Sequence, residues 1–173
     1  ERMRHRPIGL LVDALRYLGA EIEYADEDGF PPLLVRGRKL DGGPLEMPGN
    51  VSSQYISALL MIAPGMEKGL TLHLTGDIIS RPYIDLTLCT MRNFGADAEW
   101  TDNDTIEVKP QPYTPQDYYI ESDWSAASYW YEILALSKDN EAEIKLNGLM
   151  DGSLQGDSVV KYLFSMLGIK TSF

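Results

Sequence analysis

The apolar positions of this chain follow two alternating periods, and each change of period marks an element. Ile8, Leu11, Leu15 and Leu18 recur at three- and four-residue steps, which predicts a first helix opened by Pro7 and stopped by Gly19. Residues 20–24 alternate as a strand, 26–32 read as a turn and 33–36 as a second strand. A short extended segment at 45–47 runs into a turn at Pro48 and Gly49. Ser52, Ser53 and Gln54 then open a helix whose Tyr55, Ile56, Leu59, Leu60 and Ile62 predict burial on most sides. A strand at 70–75, a loop at 76–81 and an amphipathic helix at 82–94 follow, the helix ended by Gly95. Residues 98–101 and 105–109 form a hairpin around Asn103 and Asp104, and three prolines within 110–115 make the best linker candidate. Beyond it come an extended stretch at 118–121, a helix at 125–137, a strand at 143–146 and a helix at 155–167 stopped by Gly168. A final strand is expected at 169–173.

The order repeats. The helix-stopping triplets Leu18-Gly19-Ala20, Phe94-Gly95-Ala96 and Leu167-Gly168-Ile169 are spaced by 76 and 73 residues. Ser52 and Ser125 open helices 73 residues apart, and the strands at Thr71 and Ile144 keep that offset. A period this long, mixing helices and strands, points to copies of one α+β unit packed together. A strand–helix–strand–helix–strand–strand unit fits, because helical crossovers join parallel strands and a closing hairpin adds an antiparallel one.

The start of the Ser-Ser-Gln helix carries the candidate chemistry. A helix N-terminus leaves backbone N–H groups unpaired and bears partial positive charge, so hydroxyls and an amide beside it make a cradle for phosphate. The same residues also fit plain capping by Ser52 or Ser53. Asp123 and Asp157 stand at helix starts as well, where caps are the reading.

Composition narrows the class. Apolar residues at 44% and charged residues at 24% describe a globular chain able to bury a core. A net charge of −11 argues against a general nucleic-acid or membrane surface, although Arg2, Arg4 and Arg6 cluster around His5. Cys89, the single cysteine, sits in an apolar helical pattern as a core thiol, and His5 and His73 show no metal-ligand spacing. No apolar run approaches membrane-spanning length, and the cytoplasm is the default expectation. The chain opens on Glu1 and closes in a predicted strand, so a piece of a longer protein is expected.

The stretches RPIGLLVDALRYLGA, GNVSSQYISALLM, SRPYIDLTLCTMRNFGA and the Gln-Gly-Asp of 155–157 resemble the 5-enolpyruvylshikimate-3-phosphate synthases, through nearly the whole chain and in order. This resemblance implies an α+β fold of repeated βαβαββ units, the enolpyruvyl transferase fold, incomplete in this chain. Residues 1–119 would be two of the three units of a first domain, and 120–173 the interdomain crossing and start of a second. It implies shikimate 3-phosphate and phosphoenolpyruvate as ligands of an enzyme that is monomeric when whole and needs no cofactor or metal. Ser52, Ser53 and Ser80 resemble the hydroxyls that hold the shikimate phosphate, with Ser80 alternatively an N-cap. Gln54 resembles an amide touching both substrates, Tyr83 a residue beside the shikimate ring, and Arg2 an arginine that binds phosphoenolpyruvate. The family's proton donor and base fall outside residues 1–173, so no residue here is expected to be catalytic and the chain alone is expected to be inactive. The related UDP-N-acetylglucosamine enolpyruvyl transferases carry a reactive cysteine before the first helix, where this chain reads Glu1-Arg2-Met3-Arg4-His5. A non-catalytic anion-binding domain of the same fold is the reading from a different class.

Overall fold

The computed structural model describes residues 2–173. It divides into two compact units, Glu1–Pro115 and Gln116–Phe173.

The first unit is built on a four-stranded sheet and two helices. Strands β3 (Gly43–Pro48), β4 (Leu70–Thr75), β5 (Ala98–Trp100) and β6 (Thr105–Val108) are ordered β3-β4-β6-β5. β3 and β4 are parallel, with Pro48 opposite Thr75, whereas β6 pairs antiparallel with both β4 and β5. Helix α2 (Ser53–Ile62) crosses from β3 to β4, and α3 (Arg81–Asn93) leads from β4 to the hairpin. Residues 43–108 are therefore one complete βαβαββ set. Ahead of it, α1 (Gly9–Tyr17) and the antiparallel pair β1 (Glu21–Tyr24) and β2 (Leu33–Arg36) repeat the αββ half of that order.

Period-two alternation decides which face of the sheet is dry. Leu45 and Met47, Leu70, Leu72 and Leu74, and Ile106 and Val108 are buried, while their alternate neighbours Glu46, Thr71 and Glu107 are exposed. The buried side packs on Ile56, Leu59 and Leu60 of α2 and Ile84, Leu88 and Met91 of α3. Each such aliphatic side chain contributes about 1.5–3 kcal/mol by leaving water. Sheet on one side, helices on the other: the layers fix where both helices begin. Helix α2 is less enclosed than its composition predicts. Its first turn is partly open and Met61 and Ile62 are exposed, because only the Ile56–Leu59–Leu60 stripe meets the sheet.

The proline-rich residues 110–115 are fastened to the first unit. Gln111 N donates to Pro64 O (3.0 Å), Thr114 N to Phe94 O (2.8 Å) and Tyr113 Oη to Met61 O (2.8 Å). Burial pushes the Tyr113 phenol above its ordinary pKa.

In the second unit, α4 (Trp124–Ala135) and α5 (Val160–Ser165) enclose a small core of Trp124, Ala127, Tyr131 and Val160. Asp123 caps α4, as its place at the helix start predicts: its Oδ1 accepts from Ser125 N at 2.8 Å. Other sequence expectations are corrected here. The helix expected at 155–167 is a 3-10 turn, Gly156–Val159, followed by the short α5, and Asp157 accepts from Ser125 Oγ instead of capping. The strands expected at 143–146 and 169–173 are absent among the described residues. Ile144 and Leu146 still alternate in burial with Glu143 and Lys145, so the pleat is there without a ladder partner.

Candidate functional site

Parallel pairing brings the candidate residues of the first unit to one end of its sheet. β3 and β4 finish side by side, so the loops that follow them emerge together. Gly49 N donates to Thr75 O (2.8 Å), and a Cβ on Gly49 would lie 2.9 Å from Ile78 Cγ1 and 3.1 Å from Asp77 O. Only glycine lets these loops touch. Helices α2 and α3 then start in the same direction and run in contact, joined by a 2.7 Å hydrogen bond between the Ser57 and Thr87 hydroxyls. Ser52, Ser53 and Gln54 on α2 and Ser80 and Tyr83 at α3 thus share one end of one layer.

The hydroxyls are differently engaged. Ser52 Oγ accepts from Gln54 N at 3.3 Å, so it caps α2. A hydroxyl has one proton to donate besides its lone pairs, so capping leaves Ser52 free to donate to an anion. Ser53 and Ser80 are half-buried and their hydroxyls have no side-chain partner among the described residues; Ser80 stands at the cap position of α3 without capping it. Gln54 is exposed, and Tyr83 is 44% exposed. Neither helix has an acidic residue in its first turn, so the partial positive charge there is unopposed within the helices, although Asp77 lies in the preceding loop.

Arg2 belongs to an exposed 3-10 turn, Arg2–His5. Just after it, Pro7 O accepts from Tyr55 Oη of α2 at 2.6 Å. The backbone two residues after the basic turn is thus tethered to the first turn of the serine-opened helix. A concavity of about 990 Å³ in the second unit, between α4 and residues 142–149 and 167–173, contains none of these six residues.

Sequence patterns gave no hint of the contacts at the start of α3. Arg81 Nη1 donates to Asn103 O (2.8 Å), and its guanidinium lies 4.0 Å from the centroid of the Trp100 ring. Trp100 Nε1 in turn donates to Asp85 Oδ1 (2.8 Å). The partners come from a hairpin whose register no periodicity specifies.

In the second unit, Glu121 gathers four donors. It accepts from Trp124 Nε1 (2.8 Å), Met150 N (3.0 Å), Ser153 Oγ (2.8 Å) and Gln155 Nε2 (3.1 Å). Partial burial pushes its carboxyl up, but these four donors together outweigh that and hold it below its ordinary pKa. Gln155, of the Gln-Gly-Asp motif, also accepts from Trp124 N (2.9 Å) and donates to Ser122 O (2.9 Å). Lys161, the one buried charged side chain among the described residues, meets Asp151 Oδ1 at 2.5 Å. Glu121 and Gln155 thus join the start of α4 to the segment before α5.

A family model described as EPSP synthase (3-phosphoshikimate 1-carboxyvinyltransferase) matches residues 1–170. The 3-phosphoshikimate 1-carboxyvinyltransferase of Bacteroides fragilis is 57% identical over 173 residues, covering 100% of this chain and 42% of that protein. That of Histophilus somni is 38% identical over 174 residues, covering 99% and 39%. A solved EPSP synthase from Acinetobacter baumannii matches with a TM-score of 0.57 at 25% identity, over 75% of this chain and 28% of that one. The chain spans about two-fifths of the length of the curated relatives it matches. With a model running over residues 1–170 and relatives aligned along the whole chain, one assignment follows: the chain belongs to the EPSP synthase (3-phosphoshikimate 1-carboxyvinyltransferase) family.

Proposed function

We propose that this chain carries the shikimate 3-phosphate half of an enzyme that transfers the enolpyruvyl group of phosphoenolpyruvate to the 5-hydroxyl of that substrate, with release of phosphate. The supporting observation is the pair of serine-opened helices that start side by side after adjacent parallel strands, with the Ser53 and Ser80 hydroxyls unpartnered among the described residues. Ser52, Ser53 and Ser80 donate to the phosphate oxygens, and the unpaired N–H groups at the same ends complete the cradle. Gln54 reaches both substrates, Tyr83 lies along the shikimate ring, and Arg2 offers a planar fork to phosphoenolpyruvate. The reaction passes through a tetrahedral ketal and needs a proton donor and a base, which this reading assigns to parts of the protein outside residues 1–173. Residues 1–119 belong to a first domain of three repeats and 120–173 to the crossing and the start of a second. The whole protein is a cytoplasmic monomer without cofactor, nucleic-acid or membrane partner; the net charge of −11 on residues 1–173 supports the last two points for this part of it.

Calorimetric titration with shikimate 3-phosphate, and with UDP-N-acetylglucosamine as control, tests the half-site. Saturable binding of the first alone is the expected result; binding of the nucleotide sugar instead, or of neither, contradicts it. Incubation of the chain with both substrates should yield no enolpyruvyl product, and detectable product would contradict the placing of the acid and base elsewhere.

A further inference from the structure

We propose that Trp100 is a positioning residue for the phosphate end of this site, acting through Arg81 on Ser80. The inference rests on the reading of Ser80 as a phosphate ligand.

The start of α3 lacks the devices that normally fix a helix entrance. Ser80 has φ −111° and ψ 37°, its hydroxyl does not cap, Pro82 contributes no N–H, and no acidic side chain sits in the first turn. Instead the first helical residue is Arg81, a cation where the helix dipole disfavours one. The β5–β6 hairpin holds it there. The guanidinium lies 4.0 Å from the Trp100 ring centroid and donates to Asn103 O, while the edge of the same indole donates to Asp85 Oδ1. Arg81 and Asp85 are four residues apart on one helix face, and Trp100 engages both, face to one and edge to the other. On the other side of Ser80, Ile78 is seated against Gly49. Ser80 is thus held between a seated loop and a clamped helix turn, with a fixed positive charge one residue away. With no carboxylate in that first turn, the arrangement is completed electrostatically by a bound anion.

The test uses this chain with shikimate 3-phosphate and, as a ligand without the phosphate, shikimate. Trp100→Leu removes the ring face and alters no charge. It should weaken shikimate 3-phosphate about five- to tenfold, the size of a lost cation–π contact and its ordering effect, and leave shikimate unchanged. Trp100→Phe restores a face for the guanidinium and should recover most of the loss. Asp85→Ala, one turn into α3, should show a smaller loss with the same selectivity for the phosphorylated ligand, and it carries the test if Trp100→Leu fails to fold. Equal weakening of both ligands, no rescue by Phe, or unchanged binding in folded variants would overturn the proposal. Absence of binding by the unsubstituted chain would overturn the half-site reading itself, and this inference with it.

Discussion

Arg16 and Arg92 stand 76 residues apart and make the same contact: each guanidinium donates to the carbonyl of the residue six positions later, Ile22 O at 2.7 and 2.9 Å and Ala98 O at 2.9 Å. Each arginine lies in the last turn of its helix, where the dipole favours a cation, and each pins that helix to the strand after it. The repeat is thus carried by a side chain as well as by the backbone. Arg16→Met and Arg92→Met should each lower stability by about 1 kcal/mol, and additively, since the two sites share no partner. Urea midpoints at constant slope measure this; a non-additive double variant would show that the two halves are coupled.

The glycine after each helix permits a test of the repeat in backbone terms. Gly19, Gly95 and Gly168 have φ of 103°, 86° and 91°. In all three the next residue's N–H returns to a carbonyl five positions back: Ala20 to Leu15, Ala96 to Met91 and Ile169 to Phe164. Gly168→Ala meets no atom within 4 Å and should cost only the left-handed strain, about 1 kcal/mol. Gly95→Ala should cost more, because its Cβ would lie 2.8 Å from Thr114 Oγ1 and 3.3 Å from Thr114 Cβ. Thermal unfolding of the two variants gives the comparison.

Ser52 and Ser53 separate capping from ligand binding. Ser52→Ala should lose about 1 kcal/mol of stability and also weaken phosphate binding, whereas Ser53→Ala should weaken binding about tenfold with stability changed by less than about 0.5 kcal/mol. Denaturation and calorimetry on the same samples test the contrast. Equal stability losses in the two variants would mean that both hydroxyls serve the helix alone.

Glu121 sets the acid limit of the second unit. Its folded-state carboxyl titrates below the ordinary 4.5, so the unfolded chain takes up the proton first. The stabilisation is complete above pH 4.5 and is lost as pH falls through the folded-state value. Trp124, whose indole N–H bonds this carboxylate, reports the change. Its NMR indole signal should move on acidification below pH 4.5, and Glu121→Gln should remove that step.

Much of this was legible in the sequence because it was local. Period-two runs and helix-stopping glycines located β3, β4, the β5–β6 hairpin, α2 and α3, and the 76-residue recurrence exposed the repeated unit. Parallel pairing followed only from the unit's βαβ order, and the shared role proposed for Ser53 and Ser80 only from the family resemblance. What escaped was non-local or relational. Residues 143–146 alternate as a strand does but have no neighbour to pair with among the described residues. The tie of Trp100 to Arg81 and Asp85 depends on hairpin register, which residue types alone do not set. Asp123 caps α4 as its position indicated, but Asp157 does not cap: it accepts from Ser125 Oγ, a tie across 32 residues that no local pattern shows.

The most direct test of the half-site is an amide-resolved NMR titration of this chain with shikimate 3-phosphate. The account predicts saturable shifts concentrated at Ser52, Ser53, Gln54, Ser80 and Tyr83, with the amides of the second unit unmoved. A dispersed spectrum that shows no shifts, or shifts centred elsewhere, would contradict it.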